Sequence, residues 1–402
     1  NDLKTALNLS YNSFIRTTDL HHIKAAQEFW RRCDKNGDIY KKEYRAKYCV
    51  GCELEKTDSE LIDGKCPIHP NEKLEIIEEE NYFFRYSKYQ NKLSELYKNN
   101  PQFVLPAVRF NEIKEFTKRG LNDFSISRLK EKMPWGIPVP NDNEHIIFVW
   151  FDALTNYISC LGWPNNLEKF NDFWPGVQTA GKDNLRQQSS MWQAMLLSAG
   201  LPTSKQIFIH GFITSNGQKM SKSLGNVVDP FELVRKYGVD PVRYFLLREI
   251  PPTEDGDFTY EKFEKRYNAD LAKGLGNLVA RVITMAKNSK FPSFVKTTEG
   301  KQNPKFQKLI DETSKKYKDN LEKFKFNEAL ISVWASIGFC DKYIEKERPW
   351  EKSKGQKEAI GNLLLTINEI AKLLAPFLPE TSEKILKQLK TKKSKPLFPR
   401  LG

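Results

Sequence analysis

The segment HIIFVWFDALTNYISCL, residues 145–161, begins as an uninterrupted apolar run and continues with apolar residues at helical spacing. HIIFVWF predicts a buried strand and DALTNYISCL a helix. Working outward, VQTA (177–180) predicts a short strand, NLRQQSSMWQAMLLSAG (184–200) a longer helix, and QIFIHGF (206–212) another strand. Strand, helix, strand, helix, strand with short connections is the pattern of a parallel sheet. Right-handed crossovers make these three strands half of a doubly wound, Rossmann-like nucleotide-binding sheet. Ligands of such sheets gather beyond the carboxyl ends of the strands. Trp150 to Asp152, Gly181 to Asp183, and His210 fall at those ends.

The whole chain has 402 residues, of which 39% are hydrophobic and 29% charged. That length predicts two to three domains. No run approaches the roughly 18 apolar residues that a membrane-spanning helix needs, so no membrane partner is expected. The opening NDLKTALNLS lacks the features of a secretory signal, and a cytoplasmic location is expected. The net charge of +13 favours a polyanionic partner, because neutralising phosphates supplies affinity and steering. Solubility is the plainer alternative. Ile23, Ala26, Phe29, Trp30 and Cys33 predict an amphipathic helix ending near Gly37. Residues 40–80 read as short, turn-rich pieces of a small insert. Phe326, Leu330, Val333, Trp334 and Ile337 define one later helix, and Leu363, Leu364, Ile367, Ile370 and Leu374 another. Beyond Asp257 an all-α bundle is predicted, closing with a solvated lysine-rich stretch, Lys387 to Lys395.

Of the six cysteines, Cys33, Cys160 and Cys340 read as small buried hydrophobes. Cys49 and Cys52 in CVGC, with Cys66 and His69 in CPIH, form two knuckles with the spacing of a zinc site. A Cys3His set closes the tetrahedron and leaves no position for water, so the ion, Zn²⁺, is expected to be structural. A small insert with little core gains its folding free energy from such an ion.

GQKMSKSLGNVVDP, residues 217–230, places Lys219 and Lys222 among serines and glycines just past a sheet strand. Such a loop can close over a triphosphate, although most K-x-x-K turns are merely solvated. KMSKS, residues 219–223, is identical to the signature loop of class I aminoacyl-tRNA synthetases, and the chain resembles the methionyl-tRNA synthetases from about Asn8 to its last residues. The resemblance is carried by YNSFIRTTD, both knuckles, ENYFFRYSKYQ, SISR, WGIPVP, VWFDA, GKD, HGF, YGVDPVRYFLLRE, NADLAKGLGNL, ERPW, LAPFLPET and LFPRL.

That resemblance implies ATP-dependent activation of L-methionine, with Mg²⁺, and transfer to tRNA(Met). It implies that Lys219, Met220, Ser221, Lys222 and Ser223, with His210 and Gly211, bind ATP, Lys219 and Lys222 being the catalytic pair. Trp150, Ala153, Tyr157, Asp183, Gln188 and Trp192 match the methionine pocket. Asn277, Arg281 and Trp350 match residues that read the anticodon. The implied domains are the tail of the first nucleotide-fold half (1–35), a connective insert with the zinc knuckle (36–120), the second half (121–212), the KMSKS and stem-contact region (213–262) and a helical anticodon-binding domain (263–402). A monomer is expected.

Two departures qualify the resemblance. The class signature HIGH is absent: the histidines are His21, His22, His69, His145 and His210. The alignment starts the chain inside the tail of the first half, so an N-terminally truncated form is expected, or one subunit of a split enzyme. Second, where the family usually has an aromatic and then a histidine after GKD, this chain has Gln187 and Gln188. The insert is too short for the editing domain of the leucine, isoleucine and valine enzymes. A non-catalytic tRNA-binding module stands as the alternative reading, and a generic zinc-knuckle RNA binder fits less well.

Overall fold

The computed structural model describes residues 2–221, 225–289, 291, 303–351 and 355–402. The chain forms two compact units, Asn12–His210 and Asn1–Tyr11 with Gly211–Gly402.

In the unit Asn12–His210, the parallel sheet has three strands in the order Val104–Leu105, Gln206–His210, Val177–Gly181. Ile207 pairs with Val104 on one side and Gln178 on the other. This corrects the predicted sheet. HIIFVWF does not enter it: Asp142–Ile147 pairs antiparallel with Ser127–Leu129 and Ile137–Val139 in a separate sheet. The apolar run is also broken. Val149 adopts φ 28°, rare for a β-branched residue, and Trp150–Ala153 is already helical. An unbroken apolar run signals burial on both faces but does not say which sheet supplies them. The third parallel strand, Val104–Leu105, is two residues long and lies in the stretch expected to be insert.

Residues 40–80 also differ from the turn-rich expectation. Ile39–Cys49 and Glu75–Phe84 form a long antiparallel ribbon with Ile39 opposite Phe84 and Tyr48 opposite Glu75. Tyr40 and Tyr48, an even number of residues apart among charged residues, suit one face of a pleated strand.

The amphipathic helix Leu20–Lys35 buries Ala25, Ala26, Phe29, Trp30 and Cys33. Phe29 stacks on Trp192 at 5.4 Å between ring centroids and meets Phe151 edge-on at 5.4 Å. Just past the helix, the fully buried Asp38 accepts hydrogen bonds from Lys88 Nζ (2.5 Å), Asn36 Nδ2 (2.6 Å), Ser198 Oγ (2.7 Å) and the Tyr89 hydroxyl. Burial opposes its ionisation, but these donors outweigh burial and hold the carboxyl below its ordinary range.

The other unit carries a three-stranded sheet, Gln218–Lys219, Ile213–Ser215, Gly256–Phe258, followed by helices. Phe326–Glu347 buries Leu330, Val333, Ile337, Cys340 and Ile344 at steps of three and four, and Gln356–Leu374 is nearly all buried. Both helices match their predicted stripes. Arg243 donates to the carbonyls of Leu7 (2.9 Å), Pro376 (2.6 Å) and Phe377 (2.9 Å), tying the chain's first residues to this unit. Among the described residues no helix is long and apolar enough to cross a membrane.

Asp38→Ala is expected to destabilise the unit Asn12–His210 by about 3 kcal/mol in urea denaturation, since it strands the buried hydroxyls of Tyr89 and Ser198 and removes the partner of the exposed Lys88 and Asn36. The pH dependence has a definite sign: with a depressed native pKa, the contribution is complete above the unfolded carboxyl value near pH 4 and is lost as pH falls through the native value. The variant should therefore lose part of the acid limb of the stability curve.

Candidate functional site

The two knuckles converge. The ligand atoms of Cys49, Cys52, Cys66 and His69 all lie within 4.8 Å of one another. Cys52 Sγ is 3.4 Å from Cys66 Sγ and 3.3 Å from His69 Nδ1, and Cys49 Sγ is 3.8 Å from His69 Nδ1. A tetrahedral zinc with bonds of roughly 2.3 Å to sulfur and 2.0 Å to nitrogen has edges of roughly 3.5–3.8 Å, so the donor set fits that ion. Cys49 ends the ribbon strand, and Val50–Cys52 is a tight turn. A side chain on Gly51 would have its Cβ 2.7 Å from the His69 ring, so only glycine lets the second knuckle close on the first. Burial and the bond to Cys66 push the Cys52 thiol up to about 12, while at Cys66 the backbone N–H groups of His69 and Ile68 outweigh burial and draw the thiol below its ordinary value.

The residues predicted for a methionine pocket are distributed around the helical turns after Val149. Trp150 donates from Nε1 to the Glu53 carbonyl (3.3 Å), linking that turn to the knuckle-bearing insert. Ala153 and Tyr157 are half-buried, and the Tyr157 ring lies 6.4 Å from the buried Trp192. Gln188, inside the π-helical segment Gln187–Met191, is buried and donates to the Tyr157 hydroxyl at 3.0 Å. Burial raises the Tyr157 pKa, with the Gln188 bond opposing. Asp183 stands apart from Tyr157, Gln188 and Trp192: it is exposed, just past the strand Val177–Gly181. Instead it lines, with Trp150, Lys182 and Arg186, a cavity of about 500 Å³. Arg186 pairs with Glu60 at 2.8 Å and lies over the Phe116 ring. The Glu60 carboxyl sits below its ordinary value because the Thr57 N–H and Arg186 outweigh burial. His210 ends its strand opposite Gly181, so the two termini meet at the carboxyl edge of the parallel sheet.

In the other unit, Gly211 approaches the Glu254 carbonyl so closely that a Cβ would lie 2.1 Å from it. Lys219 pairs with Thr214, its Nζ 5.3 Å from the Phe212 ring centre. Met220 is half-buried against the helical core. Ser221 N–H donates to Asn226 Oδ1 (2.8 Å), and Asn226 Nδ2 donates to the Lys219 carbonyl (3.2 Å). Lys222 and Ser223 lie outside the described residues. Two organising residues were missed in the sequence: Asn226, which braces the loop across Met220, and Asp257, which accepts from Gly217 N–H (2.7 Å) and Thr214 Oγ1 (2.9 Å). The G-N dipeptide at Gly225–Asn226 and the D-G-D run at Asp255–Asp257 were their only local signal.

Asn277 is exposed at the start of the helix Asn277–Asn288. Arg281, one turn on, pairs with Glu345 at 2.7 Å and Asp341 at 3.8 Å. Trp350 is 46% exposed, with Arg348 5.9 Å from its ring centre, and is no core tryptophan.

The family described as class I tRNA synthetases (M) matches residues 1–75 and 59–283, and the anticodon-binding domain of tRNA ligase matches residues 305–399. A methionine–tRNA ligase from Thermosynechococcus vestitus is 41% identical over 95% of this chain and 74% of its own length. The chain belongs to the methionine-type class I tRNA synthetases. A relative from Caldanaerobacter subterraneus subsp. tengcongensis is 42% identical over 96% of this chain, which spans 62% of that relative's length. The methionyl-tRNA synthetase of Mycobacterium tuberculosis, solved in complex with methionyl-adenylate, has a TM-score of 0.89 and 35% identity, covering 99% of this chain and 85% of its own. The synthetase fold of this family, with its parallel sheet, cysteine-bearing insert and helical anticodon domain, is thus the fold of this chain.

Proposed function

We propose that the chain works as a methionine–tRNA ligase. The observation that carries this reading is the likeness, along nearly the whole chain, to a synthetase solved with methionyl-adenylate, together with an intact KMSKS sequence. In the first step the methionine carboxylate attacks the α-phosphorus of ATP. A carboxyl–phosphate bond forms, the bond between the α-phosphorus and the bridging oxygen breaks, and pyrophosphate leaves. The protein's part is positioning and charge stabilisation. Lys219 and Lys222 would meet the negative charge that grows on pyrophosphate, with Mg²⁺ sharing it. Met220, Ser221, Ser223, His210 and Gly211 would complete the nucleotide site. Trp150, Ala153, Tyr157, Gln188 and Trp192 would hold the amino acid, with Asp183 at the sheet edge. In the second step a terminal ribose hydroxyl of tRNA(Met) displaces AMP.

Asn277, Arg281 and Trp350 would read unstacked anticodon bases, which proteins recognise by stacking and edge hydrogen bonds. The exposed Trp350 offers the stacking face. Arg281 would exchange its bonds to Glu345 and Asp341 for RNA.

Methionine-dependent exchange of labelled pyrophosphate into ATP is the first test. Exchange by this chain supports the reading; tRNA binding without exchange favours the non-catalytic module instead. Trp350→Ala is expected to weaken tRNA(Met) binding about tenfold while leaving adenylate formation unchanged, checked by filter binding beside exchange.

The Cys3His cluster would hold one structural zinc and lock the two knuckles together. Metal analysis of purified protein should give about one zinc per chain, and Cys66→Ser should lose it along with the heat stability of the insert. An unmodified protein free of zinc, with the knuckles still folded, would refute the assignment.

A further inference from the structure

A smaller cavity, remote in sequence from every residue assigned above to methionine or ATP, opens in the helical unit. It encloses about 250 Å³ where the first turns of the helices Pro304–Glu322 and Gln356–Leu374 meet the last turns of Phe326–Glu347. Trp350, three residues beyond Glu347, is not among its walls.

One wall is aromatic. Phe339 and Tyr343, one turn apart, hold their rings nearly parallel at 11°, and Phe306 meets them edge-on at 5.3 Å and 4.7 Å between centroids. Phe306 is buried, whereas Phe339 and Tyr343 are half-buried and leave ring surface in the cavity lining.

The charges beside this wall are mixed and held apart. Glu347, Glu358 and Lys305 all line the cavity and all are exposed. Among the described residues none of the three forms an ion pair, and Glu358 accepts a long bond of 3.5 Å from Asn303 Nδ2. Burial, and then the carboxylates of Glu347 and Glu358, push the Tyr343 hydroxyl above its ordinary pKa, so the negative field reaches the ring.

The donors come from the helix starts. Gln356–Leu374 begins at Gly355, which has no side chain to cap it. Within two turns comes Asn362, only 4% exposed: its Oδ1 accepts from the Asn303 N–H at 3.2 Å, and its Nδ2 is buried without a partner among the described residues. Helix starts carry partial positive charge, and the C-terminal turn that follows Tyr343 carries partial negative charge. A bare cation would leave Lys305, the Asn362 amide and both helix starts unanswered. A bare anion would face two carboxylates. A ligand with both charges on a short body satisfies the whole set, with its cation over an aromatic face, as ammonium groups are commonly recognised.

We propose that this cavity binds a small zwitterion, its ammonium between Glu347, Glu358 and the Tyr343 ring and its carboxylate toward Lys305 and the starts of the two helices. The site is independent of the ligase reading: the residues assigned to the methionine pocket belong to the unit Asn12–His210, and every residue here belongs to the other.

Isothermal titration of the whole chain tests this with four probes: glycine, trimethylglycine, tetramethylammonium and acetate. The first two share both charges and differ in the ammonium, so they tell a free amino acid from a quaternary zwitterion. At least one of them is expected to bind one-to-one, about tenfold more tightly than tetramethylammonium or acetate, because a probe with one charge forfeits one set of charged contacts. Replacing both carboxylates, Glu347→Gln with Glu358→Gln, should weaken that binding about tenfold. Lys305→Met should weaken it about threefold, and Tyr343→Leu about threefold. Thermal melts check that each variant is folded, and the two exposed glutamates decide the matter if Tyr343→Leu is not. Glycine binding that is unchanged in the double variant, with no binding of trimethylglycine, belongs to the amino-acid pocket and overturns the proposal. No saturable binding of either zwitterion overturns it as well, as does tetramethylammonium or acetate binding as tightly as both. None of these results touches the ligase reading, which pyrophosphate exchange tests separately.

Discussion

A single buried carboxylate, Asp38, holds the junction on which the first unit depends. It follows directly on the helix Leu20–Lys35, precedes the ribbon strand Ile39–Cys49, and takes donors from the turn Tyr86–Tyr89 and from the end of the helix Trp192–Ser198. A carboxylate with no exposure persists only when its oxygens are saturated with donors. That requirement brings three segments distant in sequence into one place. The ribbon that leaves the junction carries Cys49 at its far end, held along its length by pairing with Glu75–Phe84.

The interior of this unit is polar where most interiors are not. Beside the aromatic cluster of Phe29, Trp30, Phe151 and Trp192 runs a buried chain of hydrogen bonds through Gln188, Gln178, Ser204 and Gln193, and at Tyr97 another bond reaches the Ser189 carbonyl. Hydrogen-bond networks of this kind rigidify a core and restrict its arrangements, although Gln187 Oε1, Ser189 Oγ and Trp192 Nε1 beside it are buried without a partner among the described residues. Apolar packing tolerates small shifts, whereas a chain of directional bonds does not. The π-helical segment Gln187–Met191 widens the helix where Gln188 must reach sideways.

Much of the site was legible because it is local. The C-x-x-C and C-x-x-H knuckles are short enough for backbone geometry alone to bring each pair of ligands together, and the apolar stripes of Phe326–Glu347 and Gln356–Leu374 repeat every three or four residues. KMSKS and the ordered motifs around it pointed to the family without any coordinates. The parallel strands VQTA and QIFIH were equally clear, because each is short, apolar and bounded by turns.

Chain order, residue type and local period thus determined the Cys3His cluster, the helical bundle, two of three parallel strands and the family. Tertiary structure alone decided the rest, since those features turn on which distant segment supplies a partner. HIIF is apolar enough for either sheet, and its pairing with Ser127–Leu129 rather than with Gln206–His210 is a matter of register across long loops. Val104–Leu105 is too short to show a period at all. Gln188 carries no sign in the sequence of whether its amide faces a ligand or a tyrosine. Its direction is set by a backbone N–H sixteen residues away, at Ser204, through three intervening side chains. Hydrogen-bond polarity propagates through space, and only folding brings its links together.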